Sequence, residues 1–235
     1  MGKQQILVVD DDKDIAELVD IHLTSSGYKV FTANSAKEGF DILANQDIQL
    51  VVLDIMMPEV DGISMCKTIR KISNIPIIML SAKIKDTEKI EGLSAGADDY
   101  ITKPFNPDEL IARVKSQLRR FTTLNIDNNN SDKSRNVVLN NLIMNKDDHR
   151  VIAYGKEVKL TPIEFNILFL LASNPGKVFS TEEIFETVWN EKMFDANNTV
   201  MVHIRRLREK IEMDPRDAKI IKTVWGVGYK VEKGI

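Results

Sequence analysis

Cysteine is nearly absent from this 235-residue sequence, with Cys66 standing alone. A lone cysteine excludes an internal disulfide and any cysteine-rich zinc site, and Cys66 reads as a small buried apolar residue of a helix. Long apolar runs are missing too. None approaches the roughly 20 residues that span a bilayer, and no signal-peptide pattern opens the chain. Together these absences point to the cytoplasm and to no membrane partner. Charge of one sign is also lacking, since 32 Lys and Arg against 35 Asp and Glu leave a net charge of −3. A polyanionic partner must therefore be met by a local basic face. What remains is an ordinary globular composition, 43% hydrophobic and 29% charged, long enough for one large or two ordinary domains.

The most informative stretch is Leu50-Val51-Val52-Leu53-Asp54-Ile55-Met56-Met57-Pro58. Its continuous apolar run suits a central strand of a parallel sheet, buried on both faces. Asp54 then falls at the carboxyl end of the strand, where open α/β sheets carry their chemistry. Ile6-Leu7-Val8-Val9 is a second such run and ends in Asp10, Asp11 and Asp12. If the two strands are neighbours, Asp10, Asp11 and Asp54 converge. Clustered carboxylates repel unless a cation neutralises them, and hard oxygen ligands suit Mg²⁺. The competing reading is helix capping, favoured by the helix dipole; it fits Asp12.

Further runs place a short strand at Lys29 to Ala33, another from Pro76 to Ser81, and a fifth from Asp99 to Thr102. Helical patterns lie between and after them, the last from Pro107 to Arg120. Five strands alternating with five helices predict a doubly wound α/β domain with a five-stranded parallel sheet over residues 1–121. Ser81 ends the fourth strand and Lys103 follows the fifth. A hydroxyl and an ammonium beside carboxylates are what an arriving phosphoryl group needs. Taken singly, each has a bland alternative as a cap or a solvated loop charge. A dehalogenase-type phosphatase would need a second acid two residues after Asp54, where Met56 stands; an apolar side chain cannot shuttle a proton.

Residues 122–135 (TTLNIDNNNSDKSR) are polar and Asn-rich, which predicts a flexible linker. Beyond it, Leu142 to Asn145, Arg150 to Ala153 and Val158 to Leu160 read as short antiparallel strands. Thr161 with Glu164, and Ser180 with Glu183, are capping boxes that open two helices. In a third helix, Val200, Ile204, Leu207 and Ile211 form an inward stripe, leaving Val202, His203, Arg205, Arg206, Arg208 and Lys210 for the other sides. Such a cationic helix suits the major groove of DNA; a merely solvated basic face is the alternative. Ile220 to Val224 and Tyr229 to Val231 complete a hairpin.

The segments ILVVDDD, LVVLDIMMPEVDG, IIMLSAK and GADDYITKPF resemble the receiver domain of two-component response regulators across residues 4–121. LTPIEFNIL, NNTVMVHIRRLREK and IKTVWGVGYK resemble the winged helix-turn-helix domain of the OmpR/PhoB family across residues 136–233. The resemblance implies that a histidine kinase phosphorylates Asp54 and that Asp10, Asp11, Asp54 and the Met56 backbone carbonyl hold Mg²⁺. It implies that Ser81 and Lys103 contact the phosphoryl oxygens while Tyr100 rotates with Ser81. Such a protein stores a phosphoryl group and is no enzyme beyond, at most, slow self-dephosphorylation. It also implies a homodimer on phosphorylation through a face bearing Lys89, Asp98, Asp99, Glu109, Arg113, Lys115 and Arg120.

For the C-terminal domain (136–235), the resemblance gives Val202 and Arg206 to bases and His203, Arg205, Arg208 and Thr223 to phosphates of promoter DNA. RNA polymerase is a further implied partner. Where many members carry Arg in the wing, this chain has Trp225. An indole gives no charged minor-groove contact, which leaves wing readout open, with packing against protein as the alternative. Within the family, the likeness leans to regulators of vancomycin-resistance operons, implying control of cell-wall genes. A locked receiver joined to a phosphorylation-independent winged-helix regulator is the alternative.

Overall fold

A computed structural model of the chain describes residues 3–82, 86–123, 136–139, 141–190 and 197–234. The chain divides into two compact units, residues 1–121 and 122–235.

In the first unit, five strands alternate with five helices: β1 (Gln5–Val9), α1 (Lys13–Ser25), β2 (Lys29–Ala33), α2 (Ala36–Asn45), β3 (Leu50–Asp54), α3 (Gly62–Ile72), β4 (Ile77–Ser81), α4 (Asp86–Ala95), β5 (Asp99–Thr102) and α5 (Pro107–Thr123). All pairings are parallel, in the order β2-β1-β3-β4-β5. Every residue of β3 and of β4 is buried, as continuous apolar runs in a parallel sheet require. On one face Ile6, Val8, Leu50, Val52, Ile78 and Leu80 pack against Val19 and Leu23 of α1 and Leu110, Val114 and Leu118 of α5. The other face meets α2, α3 and α4. There Gly39 lies so near Val9 and Met65 that a Cβ would come within 2.7 Å of the Met65 methyl. Cys66 is buried, as expected.

The last helix, expected from Pro107 to Arg120, starts at Pro107 and runs on to Thr123. Thr122 and Thr123 therefore belong to a helix, while the rest of the expected linker lies outside the described residues.

The second unit opens with a four-stranded antiparallel sheet, β6 (Asn136–Leu139), β7 (Leu142–Asn145), β8 (Val151–Ala153) and β9 (Lys156–Glu157). Helices α6 (Pro162–Ala172), α7 (Thr181–Trp189) and α8 (Asn197–Ile211) follow, then the hairpin β10 (Ile221–Val224) and β11 (Gly228–Val231). Both capping boxes form with reciprocal bonds. One core unites the sheet, the three helices and the hairpin.

Two strand expectations need correction. The strand placed at Val158–Leu160 forms instead at Lys156–Glu157. Tyr154 and Gly155 take φ of 48° and 76°, and this two-residue positive-φ turn fixes the register two residues earlier. Strand β6, which precedes the expected strands, has only Val137 fully covered, too weak an alternation to stand out.

Candidate functional sites: an acidic strand-end cluster and a basic helix with its hairpin

The carboxyl ends of β1 and β3 bring Asp10, Asp11 and Asp54 together, with one carboxylate oxygen from each lying within 4.8 Å of the others. The register explains this. Val9 pairs with Leu53, so the next residue on each strand is an acid at the same edge. Asp10 and Asp54 are buried and Asp11 is exposed. Asp12 is occupied elsewhere: it caps α1, its side chain accepting from the Asp14 and Ile15 amides, as the capping reading expected.

Lys103 reaches across both buried acids, its Nζ 2.7 Å from Asp10 Oδ2 and 2.7 Å from Asp54 Oδ1. Burial pushes the Asp10 carboxyl above its ordinary value, with the Asp54 charge adding to the effect against the opposing pull of Lys103. Burial alone would lower Lys103, but the two carboxylates outweigh it and hold the ammonium above its ordinary value. Asp54 is further fixed by the Met56 amide, which donates to Oδ2 at 2.9 Å. Gly62, at the start of α3, lies against the strand end, where a Cβ would fall 2.0 Å from the Asp54 carbonyl oxygen. Its amide donates to the Ile55 carbonyl at 3.0 Å. Gly62 escaped the sequence reading because nothing local marks a glycine as touching a strand end.

Ser81 is buried at the end of β4, and its carbonyl accepts from the Lys103 amide. Ser81 pairs with Thr102 and Met79 with Tyr100, so Tyr100 stands diagonally from Ser81 on the same side of the sheet. The structure thus brings Asp10, Asp11, Asp54, Ser81 and Lys103 to one sheet edge, with half-buried Tyr100 alongside.

The expected dimer face is only partly a surface. Asp98 is fully buried, and Oδ2 accepts from the Arg70 guanidinium and from the Ile77 amide at 2.9 Å. Arg120 is buried too, donating to Ser116 Oγ at 2.8 Å. Both are therefore corrected from surface charges to internal ones. Asp99 is covered by Arg113, which also binds Glu109. Glu109 and Lys115 are exposed, and the Lys89 side chain lies outside the described residues.

The basic helix α8 also differs from expectation. It packs against both α6 and α7, so its covered arc is wider than one stripe. Val202, His203 and Arg206 are buried, which corrects the expectation that they face outward. His203 lies against the Trp189 ring at 5.5 Å. Arg206 is held by buried Glu164, Nη2 to Oε1 2.8 Å, and Lys210 by the same carboxylate at 2.6 Å. Arg205 is exposed, with Glu209 at 3.1 Å. Arg208 Nη2 donates at 2.8 Å both to the Ile221 carbonyl and to Thr223 Oγ1, tying the helix to the hairpin. Trp225, for which packing was one option, projects from the hairpin tip 91% exposed.

A doubly wound sheet with acids, a hydroxyl and a lysine at its strand ends, followed by a winged helix, defines a DNA-binding response regulator. Comparisons with known proteins agree. Residues 6–115 match the response regulator receiver domain, and residues 155–231 match the C-terminal domain of transcriptional regulatory proteins. The chain is 49% identical to the regulatory protein VanRc of Enterococcus gallinarum, covering 98% of this chain and 99% of the relative. It is 46% identical to VanR of Enterococcus faecium, covering 97% and 99%. The response regulator DrrB of Thermotoga maritima is a structural neighbour, 35% identical with a TM-score of 0.50 and coverage of 99% and 100%. The chain belongs to the OmpR/PhoB family of response regulators, and its two domains are those of a phosphorylation-switched transcriptional regulator. Among the described residues, no helix is long and apolar enough to cross a membrane.

Proposed function

We propose that Asp54 is the phosphoacceptor and that Asp10, Asp11, Asp54 and the Met56 carbonyl hold Mg²⁺. The observation that carries this reading is the Lys103 ammonium bridging Asp10 and Asp54 beside a third carboxylate. Three ionised carboxylates against one ammonium (−3 + 1) leave two negative charges, which a hard divalent cation offsets, and an all-oxygen donor set suits it. When bound, Mg²⁺ supplies positive charge to the phosphoryl oxygens during transfer.

The carboxylate oxygen of Asp54 attacks phosphorus as the P–N bond to a kinase phosphohistidine breaks, giving an acyl phosphate. Lys103 offsets the charge on the transferred oxygens. Ser81 donates to the new dianion, and Tyr100 follows it. This is a charge-driven population shift.

Phosphorylation then favours a homodimer on the face carrying Lys89, Glu109, Arg113 and Lys115, with Asp99 beneath Arg113. The dimer binds promoter DNA through Arg205, Arg208, Thr223 and the basic face of α8, and RNA polymerase is the partner it recruits. Base contact by Val202 or Arg206, or phosphate contact by His203, requires these buried groups to become uncovered. Likeness to VanR and VanRc supports cell-wall genes of the glycopeptide-resistance type as targets.

Asp54→Asn tests the reading directly. The wild-type chain, given Mg²⁺ and a small acyl phosphate donor or its kinase, should shift on a phosphate-affinity gel, and the variant should not. Chelation of Mg²⁺ should abolish the wild-type shift. Retained phosphorylation in the variant would refute Asp54 as acceptor, and equal promoter affinity with and without phosphorylation would favour a locked receiver.

A further inference from the structure

The turn between β7 and β8 lays two side chains on α6. Lys146 Nζ lies 5.7 Å from the centre of the Phe169 ring, and the His149 ring lies 4.2 Å from that of Phe165, tilted by 59°. Phe165 and Phe169, one helical turn apart, stack on each other at 5.7 Å. The turn is fastened from within. The Asp147 and Asp148 amides donate to Asn145 Oδ1 at 2.8 and 3.1 Å, and the Arg150 amide donates to Asp148 Oδ1 at 3.1 Å. The Asn145 amide donates to the Arg150 carbonyl at 2.9 Å. His149 itself takes φ 54°, a left-handed conformation that histidine tolerates better than most side chains. Its half-buried ring is thereby aimed at α6, and Nε2 is buried with no hydrogen-bond partner among the described residues.

A neutral imidazole tolerates this seat, because its single proton can sit on Nδ1 and leave Nε2 a bare lone pair. Protonation puts a second N–H on Nε2, and a buried charged donor without an acceptor is far costlier. Attraction of the imidazolium for the Phe165 face offsets part of this cost, but the Lys146 ammonium already stands on the adjoining ring. α6 offers no counter-charge, since its single charged residue, Glu164, is taken by Arg206 and Lys210. Strands β6, β7 and β8 carry no charged residue, and Arg150 beside β8 pairs with Glu157 at 3.7 Å. The exposed Asp147 and Asp148, on the turn itself, are what favours the cation. We propose that His149 is a proton-operated latch, holding the β7–β8 turn on α6 while neutral and swinging out to water with the turn when protonated. Phe165 adjoins Glu164, which mounts α8, so acid loosens the DNA-binding unit beside the anchor of its basic helix. The inference goes beyond the phosphorylation switch and does not depend on it.

Burial holds the imidazole below its ordinary value of 6.5, with Lys146 adding to the depression and Asp148 and Asp147 opposing it. A folded value below the unfolded one means that the contact contributes fully above about pH 6.5 and is lost as pH falls through the folded value. Calorimetry of the full chain between about pH 7.5 and about pH 5.5 tests this. The C-terminal transition of the wild type should move to lower temperature across that range. One unit below 6.5, the loss is at most about ten-fold in the folding equilibrium, a fall of up to roughly 10 °C. His149→Asn suits the left-handed backbone and does not titrate, so it should lose most of that slope whatever its starting temperature. His22 and His203 are common to both chains, and the difference between the profiles therefore belongs to His149. In proton NMR of the wild type, the histidine ring identified by its contacts to Phe165 should titrate with a midpoint below 6.5 and leave the Phe165 ring current in the same step. Parallel melting profiles for the two chains, a midpoint at or above 6.5, or a protonated ring still shifted by Phe165 would each overturn the latch. Where His149→Asn does not fold, the wild-type titration decides alone.

Discussion

Replacing Glu164 by Gln separates two jobs that one buried side chain performs. Its Oε2 accepts from the Thr161 amide at 2.9 Å, closing the capping box of α6, while the carboxylate charge holds Arg206 and Lys210 of α8. Gln keeps an acceptor for Thr161 and loses the charge. Lys210, about a third exposed, can turn to water, but Arg206 at 8% side-chain exposure cannot without unpacking. Breaking a buried pair in this way costs about 3 kcal/mol, the lower end of the usual range. At roughly 4–8 °C per kcal/mol for a domain of this size, the C-terminal unit should melt some 12–24 °C lower. Calorimetry of the full chain resolves that transition. Adding Arg206→Met to Glu164→Gln should recover most of the loss, because an apolar side chain removes the buried charge that Glu164 no longer offsets. A fall of less than about 4 °C in the single variant, or no recovery in the double one, would refute this account of how α8 is anchored.

The same carboxylate sets an acid limit. Burial raises its pKa, but Arg206 and Lys210 more than reverse this and hold it below its ordinary value of 4.5. A depressed carboxyl contributes stability above its unfolded value and loses it as pH falls through the folded one. In a His149→Asn background the C-terminal unit should therefore hold its melting temperature down to about pH 4.5 and lose it below; Glu164→Gln should flatten that dependence. Gly62→Ala should disturb the receiver, since its Cβ would meet the Asp54 carbonyl at 2.0 Å and either the strand end or α3 must move. A loss of about 3 kcal/mol, the upper end for overpacking, together with slower phosphorylation of Asp54, is expected in melting and gel-shift assays. Wild-type behaviour in both would contradict the close contact.

Legibility followed the range of the interaction. Strands β3 and β4 were readable because parallel strands covered on both faces are written as unbroken apolar runs. Thr161 with Glu164 and Ser180 with Glu183 were readable because a capping box spans four residues. Asp98 was misread as surface because its partner Arg70 lies 28 residues away. Arg206 was misread for the same reason, its counterion standing on another helix. One stripe of Val200, Ile204, Leu207 and Ile211 suggested a helix with one covered side, whereas α8 is embraced by α6 and α7 together. In the receiver the acids were legible as a set once two strands were placed side by side. The reach of Lys103 to both of them was not, since a lysine in a loop carries no sign of where its chain extends.

The single guanidinium of Arg208, spanning Ile221, Thr223 and the Tyr229 ring, turns the helix and the hairpin into the jaws of one caliper. Their opening is set by the protein and not by the duplex. An operator with one base pair too many between the two contacts would have to bend or twist to fit, at a cost that depends on its own stiffness. Spacing would then be selected at positions the protein never touches.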